Sequence, residues 1–82
     1  MDKHLLIIYD SNNESFNRIS VPTKNSAIIL LRDAYSKFIK SVEEKDDDAE
    51  IFAKIYEGGD YAYIDVKYSD GQKRNMIFKV TI

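Results

Sequence analysis

Nucleophilic catalysis needs a side chain with an activating neighbour, and this sequence offers few. There is no cysteine and one histidine, His4. A thiolate nucleophile is therefore excluded, and any serine or threonine would depend on that single imidazole as its base. His4 stands at the start of the first apolar run, where an ordinary surface residue is the expectation. The only glycines are Gly58, Gly59 and Gly71, and none precedes a Lys-Ser or Lys-Thr pair, so no phosphate-cradling loop is present.

Carboxylates are plentiful but poorly arranged for chemistry. Asp46, Asp48, Glu50 and Glu57 fall at positions one, three, five and twelve of a calcium-binding loop, yet the sixth position, where that loop turns on glycine, is Ile51. A pair such as Asp65 with Asp70 would need a pocket that drives its two pKa values apart, and no pocket signal accompanies it. The expectation is a non-enzyme with no catalytic residue, no cofactor and no metal site.

What remains is the chemistry of binding. Residues 1–40 carry six basic and four acidic side chains, residues 41–60 two and eight, and residues 61–82 four and two. The nets are +2, −6 and +2, against −2 for the whole chain. Six of the eight residues from Glu43 to Glu50 are carboxylates: Glu43, Glu44, Asp46, Asp47, Asp48 and Glu50. Such crowding disfavours burial and predicts a solvated loop. An acidic patch of this kind steers basic protein surfaces towards it.

The elements that must position these groups follow from periodicity. Leu5 to Tyr9 is a continuous apolar run that reads as a buried strand, too short for a signal-peptide core or a membrane span. The turn formers Asp10 to Ser15 follow, then a strand over 16–21 with Ile19 and Val21 on one face and Phe16, Arg18 and Ser20 on the other, closed by Pro22. From Ala27 the period changes. Ala27, Ile28, Leu31, Ala34, Tyr35, Phe38, Ile39 and Val42 form one face of an amphipathic helix, with Asn25 or Ser26 placed to cap it.

Ile51, Ala53 and Ile55 alternate as a strand, although the preceding aspartates would also suit a helix start. Gly58-Gly59 predicts a turn, and 61–68 alternates with Ala62, Ile64, Val66 and Tyr68 on one face. Asp70-Gly71 predicts a type I′ hairpin turn. The last strand, from Arg74 or Asn75 to Ile82, places Met76, Phe78, Val80 and Ile82 together. The order ββαβββ predicts an α+β domain spanning 1–82, in which one long helix packs on an antiparallel sheet of about five strands.

One helix covers one side of a sheet. If the alternating aliphatic residues face it, then Phe52, Tyr56, Tyr61 and Tyr63 lie on the other side, uncovered, as interface surfaces do. The functional expectation is a small acidic protein-binding module, an inhibitor or accessory factor acting through the acidic loop and the aromatic face. Its partner would be a protein, with a basic surface where it meets the loop, or a second copy of the chain. Small phage-encoded antagonists share this size and acidity, and the Ile-, Lys-, Asn- and Tyr-rich composition suits an AT-rich genome. The absence of cysteine predicts a cytoplasmic setting. The alternative is single-stranded nucleic-acid binding, with Tyr61 and Tyr63 stacking on bases and Lys67, Lys73, Arg74 and Lys79 on phosphates.

Overall fold

In the computed structural model, which describes residues 4–12 and 14–81, the strands are β1 (His4–Asp10), β2 (Ser15–Val21), β3 (Glu50–Ile55), β4 (Tyr61–Lys67) and β5 (Lys73–Thr81), with the helix α1 (Lys24–Lys45) between β2 and β3. The strands form one fully antiparallel sheet in the order β2-β1-β5-β4-β3. The expected α+β architecture is therefore the one observed. Met1, Asp2, Lys3, Asn13 and Ile82 lie outside the described residues, so the placement expected for Ile82 is not among them.

Topology calls for a long crossing connection. The strands β2 and β3 are the two edges of the sheet, so the chain between them must cross its full width. The 22 residues of α1, at about 1.5 Å per residue, span roughly 33 Å. The apolar stripe places Ala27, Leu31 and Val42 in the core beside Leu6, Ile64 and Phe78. Burying each of the larger of these side chains, Leu, Ile, Val or Phe, contributes about 1.5–3 kcal/mol. Tyr35 meets the Phe78 ring edge-on at 6.2 Å, and burial pushes its phenol pKa up.

Four local expectations are corrected. The helix starts earlier than the apolar periodicity suggests, because Thr23, not Asn25 or Ser26, is its N-cap. Thr23 keeps extended backbone while its Oγ1 accepts from the Ser26 N–H at 3.1 Å. The acidic run from Glu43 to Glu50 is not one loop: Glu43 and Glu44 occupy the last helical turn, Asp46 is the C-cap, and Glu50 opens β3. Helix continues there because Val42 is still buried while the two glutamates point to solvent.

The turn at Asp70-Gly71 is not type I′. Only Gly71 has positive φ (91°), and Tyr68 and Gln72 enclose a three-residue loop closed by Gly71 N–H donating to Tyr68 O at 2.9 Å. The strand pairing Lys67↔Lys73 leaves five residues to connect, and a type I turn followed by a left-handed glycine fits that length.

Arg74, grouped with Lys67, Lys73 and Lys79 in the nucleic-acid alternative, lies apart from them on the helix side of the sheet. Its Nε donates to Asp10 Oδ1 at 3.0 Å and its Nη2 to Asp10 Oδ2, and its guanidinium sits 4.9 Å from the centre of the Phe38 ring. This bidentate pair holds the Asp10 carboxyl below its ordinary range and ties β1, β5 and α1 together at one end of the core.

Candidate binding surface

Strand pairing fixes which side chains share the face away from α1. Across the sheet from β2 to β3, one row reads Phe16, Tyr9, Ile77, Tyr63, Lys54, and the next reads Arg18, Ile7, Lys79, Tyr61. Tyr56 extends the second row just beyond β3, where its N–H donates to Tyr61 O at 2.9 Å. Towards the other end lie Asn75, Asp65 and Phe52, and then Lys73, Lys67 and Glu50. Neither the helix nor a described loop packs on this surface: at its two edges Phe16 is 60% exposed, Phe52 63% and Tyr56 42%, while Ile7, Tyr9, Tyr61, Tyr63 and Ile77 between them are half-buried among their neighbours.

The four aromatic residues expected on this side are there, and the three tyrosines touch. Tyr56 meets Tyr61 edge-on with ring centres 5.1 Å apart and lies 6.3 Å from Tyr63, while the Lys54 ammonium sits 4.9 Å over the Tyr56 ring. The turn that delivers Tyr56 to Tyr61 requires both glycines, Gly58 at φ 95° and Gly59 at φ 74°. At Gly59 a Cβ would also approach Ile28 Cγ2 to 3.1 Å, so the turn is held close against the helix.

Periodicity in the second half of the chain did not reveal how far the patch extends. Leu5, Ile7, Tyr9, Phe16 and Ile77 belong to it as well, with Tyr9 and Phe16 stacked at a tilt, centres 5.1 Å apart. The signal for β1 is its unbroken apolar run. A strand covered on one side needs only alternate apolar residues, and Leu6 and Ile8 satisfy the core, so Leu5, Ile7 and Tyr9 mark a second apolar surface. Ile77, between Met76 and Phe78, carries the same signal. Two shallow hollows mark this side. One, of about 330 Å³, is lined by Ile7, Tyr9, Phe16, Ile77 and Lys79. The other, of about 450 Å³, has Phe52, Asp65, Lys67, Lys73 and Asn75 among its walls.

The expected aliphatic partners of these rings lie on the helix side, but unequally covered. Ala62, Ile64 and Val66 of β4 are buried, whereas Ile51 and Ile55 of β3 are half-buried and Ala53 is exposed. The helix packs mainly on β1 and β5, with lighter contact to β4 and β2, so the β3 edge projects past its cover.

The acidic residues divide. Glu50 stands on the open face beside Phe52, whereas Glu43, Glu44, Asp46, Asp47 and Asp48 cluster at the end of the helix. There Asp46 is pinned: its Oδ2 accepts from the Ser69 N–H at 2.9 Å and the Ser69 hydroxyl at 2.8 Å, and its Oδ1 from Asp48 N–H at 3.2 Å. Those donors lower its pKa. Carboxylate oxygens of Asp46, Asp47 and Asp48 approach within 4.8 Å of one another. The calcium-loop spacing is nevertheless broken, because Glu57 lies at the far end of β3, about 18 Å of extended strand away. Asp65 and Asp70 are separately engaged, Asp65 accepting from Asn75 Nδ2 at 2.5 Å and Asp70 from Gln72 N–H at 3.0 Å.

The open face is basic, although the chain is acidic. Arg18, Lys54, Lys67, Lys73 and Lys79 stand against Glu50 and Asp65 for a net of +3, which leaves −5 on the rest of a chain whose total is −2. Among the described residues, the salt bridges are Lys37–Asp33 on the helix and Arg74–Asp10, so none engages these five cations. No helix among the described residues is long and apolar enough to cross a membrane. Neither a protein-family model, nor a curated protein, nor a solved structure matches the chain.

Proposed function

We propose that this chain is a non-enzymatic protein-binding module, an inhibitor or accessory factor, that receives its partner on the uncovered face of the sheet. The observation that carries this reading is the aromatic and aliphatic row Phe16–Tyr9–Ile77–Tyr63, flanked by Phe52 and Tyr56 and left without cover. Contiguous apolar surface of this kind on a small domain marks an interaction site, and tyrosine is enriched where interfaces gain their energy. The acidic helix end becomes a neighbouring electrostatic feature, off the docking surface itself.

A photo-crosslinking amino acid placed in turn at Phe16, Phe52 and Ile29 tests the reading in the native cell. Ile29 is a fair control because it is 67% exposed on the outer side of the helix. Adducts of one defined mass are expected at both Phe16 and Phe52 and none at Ile29. Adducts from Ile29 alone would place the working surface on the helix and overturn the proposal.

The basic side chains favour a second reading, single-stranded nucleic acid, and two features weigh against it. Arg74 is withdrawn into the pair with Asp10, and the tyrosine rings lean on one another at 54–65° instead of presenting parallel faces on which bases stack. Salt-sensitive binding of oligo-dT would support this second reading.

A further inference from the structure

We infer that the open face takes an acidic protein surface built around an apolar centre. This rests on the reading of that face as the docking site and names the chemistry of its occupant. It also reverses the expectation, drawn from the acidic run, of a basic partner. The run sits at the helix end, and the surface that offers apolar area is cationic.

Three observations carry the inference. The first is charge: the net of +3 is set on an acidic chain, with none of the five cations in a salt bridge among the described residues. The second is placement. Lys67 and Lys73 are directly opposed on neighbouring strands, an unfavourable like-charge pair, and Glu50 opposite Lys67 supplies one carboxylate for the two, which leaves this row net positive. Lys79 and Lys54 flank the aromatic row, the Lys54 ammonium resting over the Tyr56 ring and neither cation held by a carboxylate among the described residues. The third is the centre, where Ile7, Ile77 and Tyr9 offer no charge and fit a partner's apolar side chains.

The same facts disfavour a second copy as the occupant. A twofold pairing through this face would set five cations and two anions against an identical set, and like-charge juxtaposition of that kind costs several kcal/mol. Docking of one chain's acidic helix end on the next chain's open face would not close. It would build an open-ended assembly whose mass grows with concentration.

The test titrates the intact isotope-labelled chain with two short synthetic peptides, one alternating Phe with Glu and the other Phe with Lys, and with oligo-dT, following backbone amide shifts. The Glu peptide is expected to bind about tenfold tighter than the Lys peptide, to shift Tyr9, Ile77 and Tyr63, and to weaken with added salt. The double variant Lys54→Glu, Lys79→Glu should lose that preference or invert it. Equal or tighter binding of the Lys peptide on the same residues would overturn the acidic partner while leaving the docking face intact. Shifts confined to 43–48, or none with either peptide, would overturn both. Tighter binding of oligo-dT on the face would transfer the site to nucleic acid. A doubling of solution mass with shifts on the face before any peptide is added would make a second copy the occupant.

Discussion

Along β4, side chains alternate between two environments one residue apart. Ala62, Ile64 and Val66 face the helix and are at most 2% exposed, while Tyr61, Tyr63, Asp65 and Lys67 face outward. The inner set is small, aliphatic and free of polar atoms, as close approach of a helix demands. Asp65 apart, the outer set is amphipathic: rings with hydroxyls, and an ammonium group on an apolar stem. Such side chains tolerate water and also tolerate its removal. The inner face is selected by volume and the outer by chemistry, so substitutions on the two sides should separate stability from binding.

The largest effect is expected on the inner face. Phe78→Ala removes a fully buried ring between β5 and α1 and should cost about 3–5 kcal/mol, much of the stability of a domain this size. Urea denaturation followed by circular dichroism measures it. A loss below about 1 kcal/mol would mean that the helix does not seal the core there.

The Asp10–Arg74 pair at the end of that face comes next. Asp10→Asn should cost about 1.5–3 kcal/mol at neutral pH, since it weakens a charge-assisted pair on a nearly buried carboxylate. The pH dependence has a definite sign. Because Arg74 depresses the native pKa of Asp10, the pair's contribution is complete well above about pH 3.9, the unfolded value, and is lost as pH falls through the lower native value. Stability measured through the acid range should therefore fall less steeply in Asp10→Asn than in the parent.

At the helix start, Thr23→Ala should cost about 1 kcal/mol, read as a lowered melting temperature, by leaving the Ser26 N–H without its side-chain acceptor. On the outer face, Phe52→Ser should change stability by no more than about 0.5 kcal/mol and yet abolish crosslinking at Phe16. A large stability loss in that variant would erase the difference between the faces.

Much of this contrast is legible in the residues themselves. The 3.6-residue period of α1 and the two-residue period of β4 and β5 suffice to assign Ala62, Ile64, Met76 and Phe78 inward and Tyr61 and Tyr63 outward. Arg74 was also within reach, since it shares the alternation of Met76 and Phe78 and so points towards the helix. Its partner was not, because Asp10 lies 64 positions away and joins it only through the pairing of β1 with β5. The Asp70-Gly71 turn depends on the register of β4 against β5, which local sequence does not contain. The choice of Thr23 over Ser26 depends on where the chain leaves extended backbone after Pro22. The charge of the open face was hidden for a related reason: Arg18, Lys54 and Lys79 come from three strands that only the fold brings together.

A docking face on this side requires that its outermost rings, Phe16 and Phe52, be open to water in the free chain. Hydroxyl-radical footprinting of the purified protein, at a concentration where its solution mass is that of one chain, reads this ring by ring. Phe16 and Phe52 should be oxidised at the rate of exposed model phenylalanines, with Phe78 strongly protected. Protection of Phe16 and Phe52 equal to that of Phe78 in the monomer would mean that the rings are core, and the proposed docking face would not exist.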